Sequence, residues 1–400
     1  MEATGVWVGI ARFLYGGPGS ARAAADAEVG PPKKTTLNRC YAQPQECADL
    51  RDHAGWRRMV GMRALLYPEF ERIENATVPE PPAPPPGEVT LRVAACGICG
   101  SELEAFKNRS PRRPPPLVLG HEFCGVIDRL GPEVRGWTQG ARVVSNSLVP
   151  CGQCVRCGRG DSHLCASRQI FGMNRPGAFT ERVNVPARCL LPWPENLSAE
   201  EACLAEPLAN GLHVAHLTRH LPVEWALVVG AGAIGLFCQQ ALQVLRGAKV
   251  VVADLSDARL AVAKRLGAVR TINPQVADVA ALVRELTGGE GADLTVDAVG
   301  GGVTKRAALD AARPGGGVVW IGLHDNTVTV DTFGITLPEK KIFGSYAATM
   351  EELRFALELM ATGRVDARTW TTRFPLEDAE HAFRRALAAK GTDIKMVVCP

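Results

Sequence analysis

Between residues 62 and 210, apolar residues occur in short runs separated by turns, which predicts a β-rich region. Thr90–Ala95 has the composition of a strand, and Leu117–Leu119 leads into a Gly-His-Glu turn. Pro79–Gly87 is rich in proline and is expected to be a non-helical connector. The first structured domain is therefore expected to consist mainly of strands.

The pattern changes between residues 211 and 346, where short apolar runs alternate with segments of helical periodicity such as Ala258–Leu266. The apolar runs are Ala226–Val229, Val250–Ala253, Leu294–Val296 and Val318–Ile321. This alternation is typical of βαβ units that build a parallel sheet, so the fold class is α/β. Residues 347–400 then predict a helix, a loop, a second helix over Leu376–Ala389 and a last strand over Ile394–Val398.

The first 61 residues differ from the rest because they lack sustained periodicity. Glu2 precedes the first apolar segment and Arg12 interrupts it, which argues against a secretion signal. A transit peptide is a less favoured interpretation. We expect residues 1–61 to be a dispensable disordered extension, or the product of a translation start placed too far upstream of Met62.

Composition narrows the class of protein further. The 400 residues are 46% apolar and 22% charged with a net charge of +3, which excludes a fibrous or disordered chain and gives no electrostatic reason to expect nucleic acid. The longest apolar stretch, Trp225–Cys238, is below the ~18 residues of a membrane span. An odd total of 13 cysteines argues for free or metal-bound thiols in a reducing compartment, and we expect the cytoplasm.

A buried strand over residues 226–229 runs directly into the sequence G-x-G-x-x-G and then a helix. In this context the glycines permit a tight turn, close approach of a pyrophosphate and close helix packing. Asp254 follows the next strand, where a carboxylate accepts ribose hydroxyls and repels the extra phosphate of NADP. Arg259 is a weaker candidate, since a solvated helix position is the favoured interpretation. The candidate NAD contacts are Gly230, Gly232, Ala233, Ile234, Gly235, Asp254 and Arg259.

The sharpest motif is a run of four cysteines, Cys151-x-x-Cys154-x-x-Cys157-x7-Cys165. Four thiolates on one loop can surround a tetrahedral ion, and sulfur favours zinc. Because such a site has no open position, we expect a structural zinc. An iron–sulfur cluster and four free thiols are less favoured alternatives.

A second, dispersed set comprises Cys99, His121, Glu122 and Glu206. Each residue alone is weak evidence, since a single buried cysteine or histidine is more often part of a core. Together they offer sulfur, nitrogen and carboxylate oxygens, which suit a catalytic zinc with a position left open. Sequence spacing does not show whether these residues converge.

At this point the residues resemble the zinc-dependent medium-chain dehydrogenase family, and the likeness covers residues 62–400. The segments that carry it occur in the family's order: Gly97–Glu102, Gly120-His121-Glu122, the four-cysteine loop, Glu206-Pro207-Leu208 and Gly230–Gly235. The resemblance implies a GroES-like catalytic domain over 62–210, a Rossmann domain over 211–346 and a segment over 347–400 that returns to the first domain.

The resemblance also implies roles. Cys99 and His121 match zinc ligands, Glu122 matches a carboxylate that binds zinc or exchanges with water, and Glu206 resembles the acidic zinc residue of the sorbitol and threonine dehydrogenase branch. Ser101 matches the hydroxyl that passes the substrate proton towards solvent.

Two positions depart from the family pattern. Glu102 stands where Asp is usual, and Glu104 stands where many members have a relay histidine, which leaves the end of the proton relay open. The nearby Arg109, Arg112 and Arg113 are read as a solvated basic loop rather than as ligands for a phosphate substrate.

The implied activity is oxidation of a secondary alcohol, such as a polyol or cyclitol, to a ketone with NAD and two zinc ions per chain. Alternatives are a threonine- or sugar-phosphate-type dehydrogenase, a zinc-independent quinone or enone reductase, and a non-catalytic dinucleotide-binding protein. By analogy, Gly315–Ile321 resembles the segment used for dimer pairing, so a homodimer or homotetramer is expected.

Overall fold

A computed structural model of the chain describes residues 61–388 and 393–400, so the expectation for the extension lies almost wholly outside the described residues. The strands are β1 (Met62–Glu69), β2 (Arg72–Val78), β3 (Glu88–Gly97), β4 (Leu117–Val118), β5 (Glu122–Leu130), β6 (Arg142–Ser145), β7 (Leu148–Val149), β8 (Gln169–Ile170), β9 (Arg182–Pro186), β10 (Leu190–Pro192), β11 (Trp225–Val229), β12 (Lys249–Ala253), β13 (Arg270–Ile272), β14 (Ala292–Asp297), β15 (Ala312–Trp320), β16 (Lys341–Gly344), β17 (Thr371–Pro375) and β18 (Lys395–Cys399).

The α-helices are α1 (Gly100–Lys107), α2 (Val155–Gly158), α3 (Ala199–Ala202), α4 (Ala205–Leu217), α5 (Ala233–Arg246), α6 (Asp257–Arg265), α7 (Val279–Leu286), α8 (Gly302–Ala311), α9 (Phe333–Thr336), α10 (Met350–Ala361) and α11 (Ala379–Ala388). None of the helices in the described ranges is long and apolar enough to span a membrane.

The first domain is built on a seven-stranded sheet in the order β10-β6-β5-β3-β18-β17, with β9 also paired to β3. A smaller sheet has the order β2-β1-β4. Strand β3 contains the predicted strand Thr90–Ala95 and lies at the centre, where most of its residues are buried. Aromatic side chains fill the core, among them the fully buried Phe123, Phe179 and Phe383. This is the β-rich domain that the sequence predicts.

The second domain is a six-stranded parallel sheet in the order β13-β12-β11-β14-β15-β16. Valine and alanine dominate its central strands because helices cover both faces, and Val228 of β11 pairs with Val252 of β12 and Val296 of β14. The order 3-2-1-4-5-6 is that of a doubly wound dinucleotide-binding sheet. The predicted Rossmann fold is therefore confirmed.

The segment expected to pair with a second chain lies elsewhere in this sheet than the analogy implies. Gly315–Trp320 belongs to β15, which pairs with β14 on one side and β16 on the other. Its backbone groups are thus already used inside the chain. The edge strand on this side is β16, so pairing between chains at this edge would use Lys341–Gly344.

The last fifty residues connect the two domains. Helix α10 packs against α4, while β17 and β18 extend the seven-stranded sheet, with Val398 of β18 opposite Cys96 of β3. Helix α4 runs without a break across the proposed domain boundary at residue 210, because its buried apolar side chains continue from Ala205 to Ala215. The residue expected to act at the metal, Glu206, therefore lies on a helix that also packs on α5 of the second domain.

Candidate active site and metal centres

Strand register brings the dispersed ligand candidates together. Gly97, the last residue of β3, lies opposite Glu122, the first residue of β5, so Cys99 follows one strand at the point where His121 precedes the other. A Cβ atom at Gly97 would lie 2.3 Å from Oε2 of Glu122, so any other residue there would displace the Glu122 carboxylate. The pairing of β3 with β5 thus positions this part of the site.

The ligand atoms of Cys99, His121 and Glu122 all lie within 4.8 Å of one another. His121 and Glu122 are buried, and Cys99 is partly exposed. One sulfur, one imidazole nitrogen and one carboxylate form a donor set that suits zinc and leaves room for a further ligand. The residues present therefore fit a catalytic zinc.

Glu102 holds this set in place, a role that sequence reasoning did not assign to it. Its fully buried carboxylate accepts hydrogen bonds from the backbone N–H of Gly120 at 2.7 Å and of Cys99 at 3.1 Å, and lies 3.0 Å from Nδ1 of His121. Burial disfavours the charge of Glu102, but His121 and the guanidinium of Arg113 outweigh it and hold the pKa of this carboxyl below its usual range. His121 therefore presents Nε2 to the metal position.

Glu206 is close to this set but is not one of the three compactly placed residues. Its Oε1 accepts a hydrogen bond from the hydroxyl of Ser147 at 2.6 Å, and its side chain is buried on the first turn of α4. Burial raises the pKa of Glu206, and the neighbouring Glu122 adds to the effect while His121 opposes it. Glu206 thus belongs to the electrostatic surroundings of His121 and Glu122.

The buried Lys395 of β18 balances the charge of Glu122. Its Nζ forms an ion pair with Oε2 of Glu122 and donates a hydrogen bond to the carbonyl of Ile98 at 2.8 Å. The C-terminal segment therefore contributes directly to the metal site.

The candidate relay hydroxyl contacts both the site and a neighbouring cation. Ser101 donates from Oγ to Sγ of Cys99 at 3.3 Å, and Arg113 donates to the same Oγ at 3.2 Å. Arg113 is only 5% exposed, so it does not belong to a solvated loop as the sequence suggests, whereas its neighbour Arg112 is exposed. Nothing in the local sequence distinguishes the two arginines.

Glu104, which occupies the position of the relay histidine, meets a histidine from the other domain. Its Oε2 lies 3.0 Å from Nδ1 of His324, which follows β15 at the carboxyl edge of the parallel sheet. Both side chains reach solvent. A residue 220 positions away thus supplies an imidazole that the local motif lacks.

The four-cysteine motif folds into one compact site. The Sγ atoms of Cys151, Cys154, Cys157 and Cys165 lie within 4.8 Å of one another around the short helix α2. Backbone N–H groups of Gln153 and Cys154 lower the pKa of Cys151 to about 6, while burial and the thiol of Cys154 raise the pKa of Cys157 to about 11. Ionisation is thus favoured at Cys151 and opposed at Cys157, and a bound divalent cation would offset the cost at Cys157. The donor set fits a structural zinc.

The glycine-rich turn has the geometry that a pyrophosphate requires. Gly230 has φ +101°, and a Cβ atom at Gly235 would lie 1.7 Å from the carbonyl oxygen of Gly230. Gly232 caps α5 without a side-chain hydrogen bond, and a Cβ atom there would meet open space. The first N–H groups of α5, at Ala233 and Ile234, therefore face a position where an anion can bind.

The other cofactor candidates have partners in the chain. Asp254 accepts hydrogen bonds from the backbone N–H of Ala231 at 2.7 Å and of Ser256 at 2.8 Å, so its carboxylate lies at the turn as expected. Arg259 is partly buried and donates to the carbonyl of Asp393 at 3.3 Å. The structure therefore links Arg259 to the C-terminal segment.

Two family models match the chain. The alcohol dehydrogenase GroES-like domain matches residues 85–195, and the zinc-binding dehydrogenase domain matches residues 233–362. Together they cover the metal sites, α5 and most of the parallel sheet.

Curated relatives support the same classification. The chain is 32% identical over 303 residues to 2-dehydro-3-deoxy-L-galactonate 5-dehydrogenase of Pseudoalteromonas atlantica, covering 75% of this chain and 88% of the relative. It is 32% identical over 329 residues to L-threonine 3-dehydrogenase of an Anaeromyxobacter species, covering 80% and 95%.

Solved structures agree in fold. An alcohol dehydrogenase of Escherichia coli complexed with NADH superposes with a TM-score of 0.78 at 28% identity, over 85% of this chain and 99% of that one. A zinc-binding dehydrogenase of Sinorhizobium meliloti bound to NADP gives a TM-score of 0.78 at 29% identity, over 86% and 100%. The fold and sites define a zinc-type alcohol dehydrogenase. The chain belongs to the zinc-dependent medium-chain dehydrogenase family, in the branch similar to threonine and sorbitol dehydrogenases.

Proposed function

We propose that the protein catalyses the reaction secondary alcohol + NAD⁺ → ketone + NADH + H⁺, or its reverse. The observation that carries this proposal is the convergence of Cys99, His121 and Glu122 within 4.8 Å, next to the hydroxyl of Ser101. When bound, a zinc ion polarises the alcohol oxygen and a nicotinamide accepts the hydride.

The chain's own residues prepare this chemistry. Glu102 fixes the ring of His121, and Lys395 balances Glu122. Ser101 is assigned to take the proton that the alcohol loses while it releases its own hydroxyl proton towards solvent. Glu206 and Ser147 form a buried polar wall beside the site. Proton exit is assigned to the pair Glu104–His324, which reaches solvent.

NAD is the proposed cofactor rather than NADP. The carboxylate of Asp254 lies at the turn, where it would accept ribose hydroxyls and repel a 2′-phosphate. Reduction rates with the two cofactors test this assignment, and a preference for NADP would contradict it.

The substrate is proposed to be a polyol, a cyclitol, a sugar acid or a hydroxy amino acid. The relatives act, by their names, on a sugar acid and on threonine, which favours a hydroxylated substrate over ethanol. The quinone reductase alternative is not favoured, because Cys99, His121 and Glu122 form one compact set of potential metal ligands and the four cysteines form another. A reducing compartment fits the eleven free cysteines of the described residues.

Formation of reduced nicotinamide from a panel of these alcohols tests the activity. We expect turnover of at least one secondary alcohol by the wild-type enzyme and by Cys238→Ala, a variant of a buried cysteine in α5 away from both metal sets. NADH binding with no turnover of any alcohol would instead support the non-catalytic dinucleotide-binding alternative.

A further inference from the structure

The buried guanidinium of Arg113 contacts the candidate relay residue twice. Nη1 donates to the carbonyl oxygen of Ser101 at 2.7 Å, and Nη2 donates to its Oγ at 3.2 Å. The third hydrogen bond runs from Nε to the carbonyl of Gly172 at 3.1 Å. Two acceptors on one residue fix both the backbone and the side chain of Ser101.

Burying this charge needs a reason. Within residues 61–388 and 393–400, no carboxylate lies within 4.0 Å of Arg113, although Glu102 is near enough for the guanidinium to lower its pKa. An arginine that is 5% exposed without a direct ion pair is uncommon, because desolvation of the charge is costly. The guanidinium instead donates its hydrogen bonds to Ser101 and Gly172.

Gly172, which accepts the hydrogen bond from Nε of Arg113, packs against the backbone of the metal-ligand segment. A Cβ atom at Gly172 would lie 2.9 Å from the backbone nitrogen of Gly120, the residue before His121. Arg113 therefore spans from α1, which carries Ser101, to the backbone that packs against the metal-ligand segment. Its position relative to the site is held at both ends.

The donors of Arg113 also determine the direction of the hydroxyl hydrogen of Ser101. A guanidinium has no acceptor, so that hydrogen has to point away from Arg113. In the structure it points to Sγ of Cys99, at 3.3 Å. One lone pair of Oγ receives Arg113, and one lone pair is left to accept a proton from an alcohol.

Resting on the proposed function, we propose that Arg113 is a positioning residue for proton transfer: it holds Ser101 with one lone pair of Oγ free for the alcohol proton, and Ser101 then releases its own hydroxyl proton to the solvent that its partly exposed side chain reaches. Its fixed positive charge also favours the negative charge that develops on the alcohol oxygen as the proton leaves. Hydrogen bonds that involve a charged group predict a loss of roughly 10- to 100-fold in kcat/KM when the guanidinium is removed.

The test compares Arg113→Met with Arg112→Met, the matched variant of the exposed neighbour, each alone and in a Ser101→Ala background. We expect Arg113→Met to lower kcat by roughly 10- to 100-fold, and Arg112→Met to have little effect. In the Ser101→Ala background, Arg113→Met should lower kcat no further, because the two residues act as a unit. Zinc content and NADH affinity should not change.

Any of four results would overturn the inference. Additive losses in the double variant, or loss of zinc or NADH binding in Arg113→Met, would indicate a purely structural role. A raised KM confined to acidic substrates would make Arg113 a contact for a substrate carboxylate. Normal kinetics in Arg113→Met would show that Arg113 has no role in proton transfer. Should the methionine variant not fold, the same kinetic measurements are made on Arg113→Lys, which keeps the charge but not the planar geometry.

The outcome for the wild-type enzyme separates the two proposals. Turnover by wild type and Arg112→Met with unchanged kinetics in Arg113→Met would overturn this inference alone. No turnover by the wild-type enzyme would overturn the proposed function and this inference with it.

Discussion

Replacing Glu102 by Gln tests the carboxylate behind the metal site. In the wild-type protein both oxygens are used: Oε1 faces Gly120 N–H at 2.7 Å and His121 Nδ1 at 3.0 Å, and Oε2 accepts from Cys99 N–H at 3.1 Å. Gln has one carbonyl oxygen and one NH₂ group, so at least one of these buried donors would face another donor.

The magnitude follows from these contacts. Leaving a buried donor unsatisfied costs about 1–3 kcal/mol, and loss of the carboxylate that hydrogen-bonds to a metal-binding histidine lowers metal affinity by roughly 10- to 100-fold. That range equals about 1.4–2.8 kcal/mol of zinc binding. We therefore expect Glu102→Gln to release one zinc ion at a chelator concentration that the wild-type enzyme withstands, and to retain the zinc of the four-cysteine site.

The assay is zinc content per chain after equilibration with a graded series of chelator concentrations. Glu69→Gln is the matched control, because Glu69 forms an exposed ion pair with Arg72 that should contribute little. Glu102→Asp keeps the charge on a shorter side chain and should fall between the two. Equal zinc retention by Glu102→Gln and wild type would refute the role given to Glu102.

Two further predictions concern other parts of the chain. Gly235→Ala would place a Cβ atom 1.7 Å from a backbone carbonyl of the turn, so NADH binding measured by fluorescence should be lost. The control Gly247→Ala lies at the exposed end of α5, where a Cβ atom meets nothing within 4 Å, and should bind NADH despite some backbone strain. Equal NADH affinity in both variants would contradict the assigned turn. Burial opposes the charge of Glu352, but hydrogen bonds from His213 and the backbone of Thr349 outweigh it and lower its pKa from 4.5 to about 2. Between pH 4.5 and about 2 the unfolded state therefore binds more protons than the folded state. Glu352 thus contributes at most about 3 kcal/mol to the free energy of unfolding above pH 4.5, and this contribution is lost as the pH falls towards 2. Acid unfolding that is the same in wild type and Glu352→Gln would show that the contribution is absent.

Local sequence was sufficient for the elements and for the metal motifs. Strand β3 and the parallel sheet depend on patterns within a few residues, and these predictions are confirmed by the fold. The four cysteines of the loop also come together, and the zinc expected there stays a prediction. The course of β15 through the interior of its sheet was not predictable in this way, because strand order depends on which distant strands pair.

Contacts made at long sequence separation were also beyond sequence reasoning. His324 reaches Glu104 across 220 positions, and Lys395 reaches Ile98 across 297. Arg113 and Arg112 are adjacent and chemically identical, yet only Arg113 is buried, where it donates hydrogen bonds to Ser101 and Gly172. Such choices are made by tertiary structure rather than by residue type.

The most direct test of the account is a paired measurement of zinc content and alcohol-dependent NADH formation in Cys99→Ala. If Cys99 holds the catalytic metal, the wild-type enzyme should contain about two zinc ions per chain and turn over a secondary alcohol. The variant should keep one zinc, keep NADH binding and lose nearly all turnover. Retention of both zinc ions together with wild-type turnover in Cys99→Ala would contradict the proposed active site.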